Sequence, residues 1–522
     1  MITLTIDNQT VEVPEGSTIL QAAQKCGLEI PTLCFAEGFK PSVSCMVCVV
    51  RVASVKHLVP ACGTRVTENM NVITQSEEIQ TARQMAIELL LSDHVGDCVG
   101  PCMRGCPANM NIPVMIRQIA SGQFEDAIAT VKKTIPFPAI LGRICPAPCE
   151  KVCRRNQADS SVSICLLKRF VADIDLRSEQ SYRPACQRST GKKVAIVGAG
   201  PCGLSAAYYL QQAGIDCTVY DGHEKPGGSL RYSGIEQTML QLEVLENEIN
   251  QIFKLDVKFQ GNIYIGRDVS IDELKKQYDA VFIAMGVLNG NNKDLSGITI
   301  KDNKIQAERP DYLTSREGVF AGGACIGSRN MCIRAVADGK EAAESIRSYL
   351  SRQKAQRKKE YNHQMGRLEP EEMGLFLKQA SDSERIEPQS IIEGLTTAEA
   401  QAEAKRCLHC DCRKADCCGL RDLATDLEAR RNVWQGRRGL FSQITAHEQV
   451  VFEPGKCIKC GLCIQAAKGA GEKLGLSFEG RGFNMQIVVP LEKTLSEGLQ
   501  NASNECVGVC PTGALSLKSL NQ

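Results

Sequence analysis

Aromatic residues make up only 5% of this 522-residue chain, and its formal charge is just +1. Without a charge excess there is no electrostatic footprint for nucleic acid or an anionic membrane, and few aromatics leave no stacking surface for bases. No apolar run approaches the length of a membrane span. The chain opens MITLTIDNQTVEV, an alternating strand with no basic segment before an apolar stretch. No secretory leader is therefore expected, and the expected location is cytoplasmic. A Gly-x-Ser-x-Gly elbow, a His-Glu-x-x-His helix and a phosphate P-loop are also missing, so no catalytic residue of a hydrolytic kind is assigned.

What the chain has in quantity is cysteine, 27 in all, mostly in tight clusters. In a chain without a leader, such spacing reads as metal binding rather than disulfides; the alternative is a set of scattered buried thiols. The length predicts three or four domains.

Residues 1–80 read as a small β-rich domain. ITLTID and TVEVPEG form a hairpin across DNQ, and Ser17 can cap a helix through STILQAAQKCG that ends at Gly27. Cys34, Cys45, Cys48 and Cys62 follow, with ten, two and thirteen residues between them. Four thiolates suit a [2Fe–2S] cluster, and they also suit zinc. The segment, including IPTLC and LVPAC, resembles the β-grasp ferredoxin domain that opens the large iron–sulfur subunit of complex I and many iron hydrogenases, which implies [2Fe–2S].

Residues 81–190 read mainly helical. DCVGPCMRGCPANMNIP carries Cys98, Cys102 and Cys106, and GRICPAPCEKVCRR carries Cys145, Cys149 and Cys153. Between them an amphipathic stretch can fold the chain back so that the two groups meet. This segment resembles the helical domain of the small subunit of bacterial glutamate synthase and of dihydropyrimidine dehydrogenase. The resemblance implies two [4Fe–4S] clusters shared crosswise: Cys98, Cys102 and Cys153 on one, Cys106, Cys145 and Cys149 on the other. Cys165 is a candidate fourth ligand, or a buried thiol. His94, four residues before Cys98, resembles the histidine of the His-plus-Cys cluster in complex I; the alternative is a helix C-terminal histidine.

Residues 191–350 contain KKVAIVGAGPCGLSAAYYLQQAGIDCTVYD. Strand, Gly198-x-Gly200-x-x-Gly203, helix, second strand and Asp221 together form a dinucleotide fingerprint, with Asp221 placed to accept from ribose hydroxyls. Gly227 and Gly228 in EKPGGSLRYSGI, Gly286 in DAVFIAMG and Gly323 in GVFAGGAC continue a pattern that resembles the flavin domain of the glutamate synthase small subunit. That resemblance implies FAD. Those relatives insert an NADPH domain between the IAMG and VFAGG elements; here a short connector lacks a second glycine motif and is too short for a βαβ unit. Where they carry an aspartate on the ribityl chain this sequence has Ala324, and GGACIGSRN resembles the FAD-bearing A subunit of heterodisulfide reductase. A structural domain without flavin is the competing reading.

In 351–445, SRQKAQRKKEYNHQ is expected as a solvated basic helix face. EAKRCLHCDCRKADCCGLRDLAT then presents Cys407, Cys410, Cys412 and Cys418, with Cys417 as rival to the last. These suit one [4Fe–4S] cluster or zinc. Comparable RCLHCDCRK segments follow the flavin domain in some relatives of the glutamate synthase subunit.

Residues 446–522 hold CIKCGLCIQAA, where the cysteine expected after Cys457, Cys460 and Cys463 is Ala467. In two-cluster ferredoxins the last cysteine of each motif ligates the other cluster. Cys510, followed by Pro511, thus completes the set, while the second cluster's positions hold Ala467, Gln500, Ser503 and Cys506. One cluster is expected and one lost.

The fold class expected is multidomain α/β: a β-grasp [2Fe–2S] domain (1–80), a helical [4Fe–4S] domain (81–190), a Rossmann-like FAD domain without the NAD(P)H insertion (191–350), a linker with a cysteine-rich motif (351–445) and a ferredoxin-like domain with a single [4Fe–4S] cluster (446–522). The cofactor tally is FAD, one [2Fe–2S] and up to four [4Fe–4S] clusters. The function this implies is an electron-transfer subunit of a soluble multisubunit oxidoreductase. Its flavin relays or bifurcates electrons between an NADH-oxidising flavoprotein subunit and a formate dehydrogenase- or hydrogenase-type enzyme, or exchanges them with ferredoxin. A self-sufficient glutamate-synthase-like flavoenzyme and a structural metal scaffold are the alternatives. Turnover of the isolated chain would mark the first, and colourless zinc-loaded protein the second.

Overall fold

The structure, a computed structural model, describes residues 1–288, 295, 297–327, 331–353, 360–434, 436 and 438–518. Residues 354–359 of the expected basic helix face and 328–330 of GGACIGSRN lie outside the described residues. The chain forms two compact units. One comprises Met1–Val99, Lys358–Phe376 and Cys410–Gln522; the other comprises Gly100–Arg357 and Leu377–His409. The expected segments 1–80 and 446–522 fall in the first, whereas 81–190 and 351–445 contribute to both.

In the first unit, alternation drives a hairpin of Ile2–Ile6 and Gln9–Val13, closed by Asp7 and Asn8 at φ 48° and 68°. Two consecutive left-handed residues match the twist of a two-residue hairpin turn. Ile2–Ile6 pairs in parallel with Asn71–Ile73, and Val49–Val52 and Val59–Pro60 complete a five-stranded sheet. The helix Ile19–Lys25 packs on it through Ile19, Leu20, Ala22 and Ala23. Its cap is Thr18, one residue beyond the expected Ser17, because Thr18 and Gln21 form a reciprocal capping box. This is a β-grasp arrangement. Farther along, Val450–Phe452 pairs antiparallel with Leu515–Leu517, and the helices Leu462–Gly469 and Ser503–Val509 pack together, a ferredoxin-like lobe.

The second unit begins with short helices, among them Pro101–Gly105, Pro138–Ile144, Pro148–Lys151 and Ile164–Arg177. A Cβ on Gly105 would stand 2.4 Å from Val152 Cγ2, so the backbones of the first and third of these nearly touch. A parallel sheet follows, ordered Val319–Ala321, Ala280–Ile283, Lys193–Val197, Asp216–Tyr220, Lys258–Gln260. The helices Pro201–Gln212 and Cys332–Leu350 cross closely: a Cβ on Gly339 would meet Cys202 O at 2.3 Å. Among the described residues of 287–318, the regular elements are the two-residue strands Ile300–Lys301 and Lys304–Ile305.

Candidate functional site

None of the 27 cysteines is in a disulfide bridge. Among the described residues, no group of three or more Cys, His, Asp or Glu side chains is gathered as a site for a single metal ion. The cysteines nevertheless converge in sets.

In the β-grasp domain Cys34, Cys45, Cys48 and Cys62 are all buried. The Cys45 and Cys62 thiols donate to Cys34 and hold it below the ordinary thiol range, while those contacts and burial push Cys45 and Cys62 up. Cys48, receiving from Cys62, is lowered to about 7. All four expected ligands therefore meet, on the loop before the strand Val49–Val52 and the turn after Val59–Pro60. Four soft donors in a polarised group fit a cluster, which binds them as thiolates.

In the second unit Cys106, Cys145, Cys149 and Cys165 lie within electrostatic reach of one cation, Lys168. The Cys145 thiol is pushed up by its contact with Cys165, and Cys165 also contacts Cys149, standing at about 12. Lys168 is buried, with Nζ 4.0 Å from Cys165 Sγ. Burial pulls its ammonium down, but thiolates at Cys165, Cys145, Cys149 and Cys106 outweigh that and raise it. Cys165 lies in the first turn of Ile164–Arg177, where its N–H donates to Glu150 Oε1 at 2.8 Å. Sequence reasoning offered Cys165 as a candidate and missed Lys168, since a lone lysine one turn on carries no signal. Cys102 and Cys153 belong to the same unit and are half-buried.

The cysteine-rich motif is divided. Cys407 packs in the core of the second unit, whereas Cys410, Cys412 and Cys418 belong to the first. Cys418 is buried and Cys417 exposed. Cys98, also in the first unit, has Cys412 as its neighbour: the Cys412 N–H donates to Cys98 O at 3.2 Å. His94 stands edge-on to His363, ring centres 5.0 Å apart. Burial, then His363 and Lys456, lower its pKa to about 3, so the imidazole stays neutral.

In the ferredoxin-like lobe a small pocket is lined by Cys457, Cys460, Cys463 and Cys510, with Phe452 and Ile487 among the apolar walls. Burial pushes Cys457 up to about 11 and Cys460 up to about 12. A metal must therefore displace the protons. Where a second cluster would need ligands, Ala467 and Cys506 are fully buried against Leu476, Leu495 and Leu499, and the Cys506 thiol donates to Cys463 O at 3.3 Å. Ser503 donates to Gln449 Oε1 at 3.0 Å.

The nucleotide loop leaves the strand Lys193–Val197 at Gly198, φ 110°, and enters the helix Pro201–Gln212. A Cβ on Gly203 would lie 1.9 Å from Gly198 O, so only glycine permits the turn. A Cβ on Gly228 would lie 2.8 Å from Gly200 Cα, so the two glycine loops touch, with the Gly227 N–H on Ala199 O at 2.9 Å. The helix N-terminus has no side-chain cap, and its N–H groups suit a phosphate. Asp221, expected on a ribose, accepts the Ala199 N–H through Oδ2 at 2.7 Å and the His223 N–H through Oδ1 at 2.9 Å. Gly286 and Gly323 adopt φ 83° and 76° at the ends of the two neighbouring strands.

Three family models match: a 2Fe-2S iron-sulfur cluster binding domain over residues 1–77, the dihydropyrimidine dehydrogenase domain II, 4Fe-4S cluster, over 65–180, and an NAD(P)-binding Rossmann-like domain over 196–245. Among curated relatives, the NADPH-Fe(3+) oxidoreductase subunit beta of Geobacter sulfurreducens is 34% identical over 45% of this chain and 36% of its own length. The NADP(+)-dependent formate dehydrogenase subunit beta of Moorella thermoacetica is 37% identical over 38% of this chain and 31% of its own. The glutamate synthase [NADPH] small chain of Bacillus subtilis is 35% identical over 42% and 44%. The chain thus spans about a third of the length of the first of these relatives. It is homologous to oxidoreductase subunits and carries 2Fe-2S, 4Fe-4S and Rossmann-like nucleotide-binding domains. Among the described residues no helix is long and apolar enough to cross a membrane.

Proposed function

We propose that the chain is an electron-transfer subunit of a multisubunit oxidoreductase. It carries FAD on the Gly198–Gly203 loop, with Asp221, Gly227, Gly228, Gly286 and Gly323 around it, and a [2Fe–2S] cluster on Cys34, Cys45, Cys48 and Cys62. It also carries up to four [4Fe–4S] clusters. Its partners are an NADH-oxidising flavoprotein subunit and a formate dehydrogenase- or hydrogenase-type enzyme, with cytoplasmic location. The relatives' printed names, subunits of NADPH-dependent iron(III) and NADP-dependent formate enzymes among them, support this class of assembly.

The observation that carries the reading is the cavity lined by Cys457, Cys460, Cys463 and Cys510, whose thiols come from stretches more than forty residues apart. Packing alone gives no reason for four thiols to line one cavity; a cubane does. When bound, iron–sulfur clusters carry single electrons and flavin links them to a two-electron couple. The residues' part is to hold thiolates in apolar walls and, at Lys168 and Lys456, to set fixed positive charge beside them. The connector between Gly286 and Gly323 lacks a second Gly-x-Gly-x-x-Gly, which supports hydride delivery by a partner.

Anaerobic purification from the native host tests the reading. The expected result is a brown, flavin-containing complex in which the isolated chain is not reduced by NADH or NADPH. A colourless chain, or a lone polypeptide whose flavin NAD(P)H reduces directly, overturns it.

A further inference from the structure

We infer that Cys98 is a ligand of a cluster held within the first unit together with Cys412 and Cys418, rather than of one shared with Cys102 and Cys153. The inference rests on the iron–sulfur reading above and re-partitions its ligands.

Cys98 is held from both sides by backbone that belongs to this site. Its N–H donates to His363 O at 3.1 Å, and the His363 N–H donates back to Cys98 Sγ at 3.3 Å. An N–H aimed at sulfur stabilises a thiolate, and such bonds tune cluster ligands. On the other side the Cys412 N–H donates to Cys98 O, so these two cysteines are joined across more than three hundred residues of sequence. Cys418 is buried six residues on from Cys412, at the N-terminus of the helix Gly419–Asp426. The sulfur of Cys412 is given its place by Gly513, where a Cβ would stand 2.2 Å from it.

The surroundings are those of a buried negative charge. Lys456 is buried, its stem passing so close to Gly96 that a Cβ there would meet Cε at 2.4 Å. Its ammonium pairs with the buried Glu453. Arg421, whose Nε and Nη1 are held by Tyr361 O at 3.0 Å and Ala415 O at 2.7 Å, is a second cation in the same unit. The hydroxyl of the same Tyr361 is buried and has no hydrogen-bond partner among the described residues. Thiols packed in an apolar core would need no buried cation; a cluster with net negative charge accounts for one. Cys410, in the same unit and on the same loop, supplies the fourth thiolate, since Cys417 is exposed.

The experiment counts iron and records EPR spectra of the dithionite-reduced full chain, purified anaerobically, for Cys98→Ala, Cys412→Ala, Cys153→Ala and the doubles. The expected result is that Cys98→Ala and Cys412→Ala each lose one cubane, about four irons, that their double loses no more, and that Cys98→Ala/Cys153→Ala loses about eight. Gly513→Ala, which removes no thiolate but drives a Cβ onto Cys412 Sγ, should lose the same EPR signal as Cys98→Ala. Retained flavin and unchanged signals from the remaining clusters show that the variants fold. The reverse pattern, Cys98→Ala/Cys153→Ala losing no more than either single variant while Cys98→Ala/Cys412→Ala loses about eight, overturns the inference and leaves the proposed function intact. A Cys98→Ala chain that keeps all its iron also overturns it. Iron-free wild-type protein overturns both.

Discussion

Lys168 is a side chain whose cost is visible in the structure: an ammonium buried in the second unit with its nitrogen 4.0 Å from Cys165 Sγ. Only negative charge on the surrounding sulfurs makes that tolerable. Lys168→Met should therefore lower the reduction potential of the adjacent cluster by on the order of 100 mV, read by EPR-monitored titration, with the other cluster signals unmoved. At the nucleotide loop, Gly203→Ala forces its Cβ onto Gly198 O and should cut flavin content to roughly a tenth or less, measured by absorbance of the released cofactor. These two residues mark what sequence makes legible. Gly203 is part of a spacing with a physical reason behind each glycine. Lys168 has no spacing, and only the folded chain shows its buried nitrogen set against Cys165. The Cys98–Cys412 contact is likewise unreadable in advance, since nothing local in DCVGPC points to a loop three hundred residues on.

Elements are governed by their ends. The helix Pro138–Ile144 has no side-chain cap of its own; instead Glu248 Oε1 and Oε2 accept the N–H groups of Ala139 and Ile140, each at 2.7 Å. Burial pushes the Glu248 carboxyl up to about 7, with those two N–H groups opposing it. Because the folded value lies above the ordinary 4.5, this group's contribution is full below about pH 4.5 and is lost as pH rises through about 7. The effect is on the order of 3 kcal/mol. Denaturant titrations should show stability falling over that window, and Glu248→Gln should flatten the slope there. Local pattern foretold the hairpin Ile2–Ile6 with Gln9–Val13 and the strand–loop–helix at Gly198. It placed the cap of Ile19–Lys25 one residue early, because Ser17 and Thr18 are both good caps and only Thr18 has Gln21 three residues ahead. It could not foretell the sheet order, which depends on pairing between distant strands.

On the scale of the whole molecule, the ferredoxin-like lobe has filled half of an ancestral-looking pair of sites with side chains. Ala467 and Ala502 are fully buried, and Leu495 and Leu499 pack beside them. The triple variant Ala467→Cys/Gln500→Cys/Ser503→Cys, which with Cys506 restores four thiols, should bind no additional iron and should melt at a lower temperature, because the packed leucines leave a cubane no room. Iron analysis and thermal denaturation check both. The 2Fe-2S, 4Fe-4S and Rossmann-like domains are readable from motifs, whereas the gathering of the chain into two compact units is not: RCLHCDCRK reads as one loop, yet its first cysteine and its later ones belong to different units. The half-empty lobe also carries a consequence for traffic. On the proposed reading, a lobe with two cubanes would pass charge by an internal hop, and a lobe with one has to pass it through its walls. Cys460 shares a buried core with Cys34, Cys45 and Cys418, so the way out of the lobe leads first to the chain's own thiols.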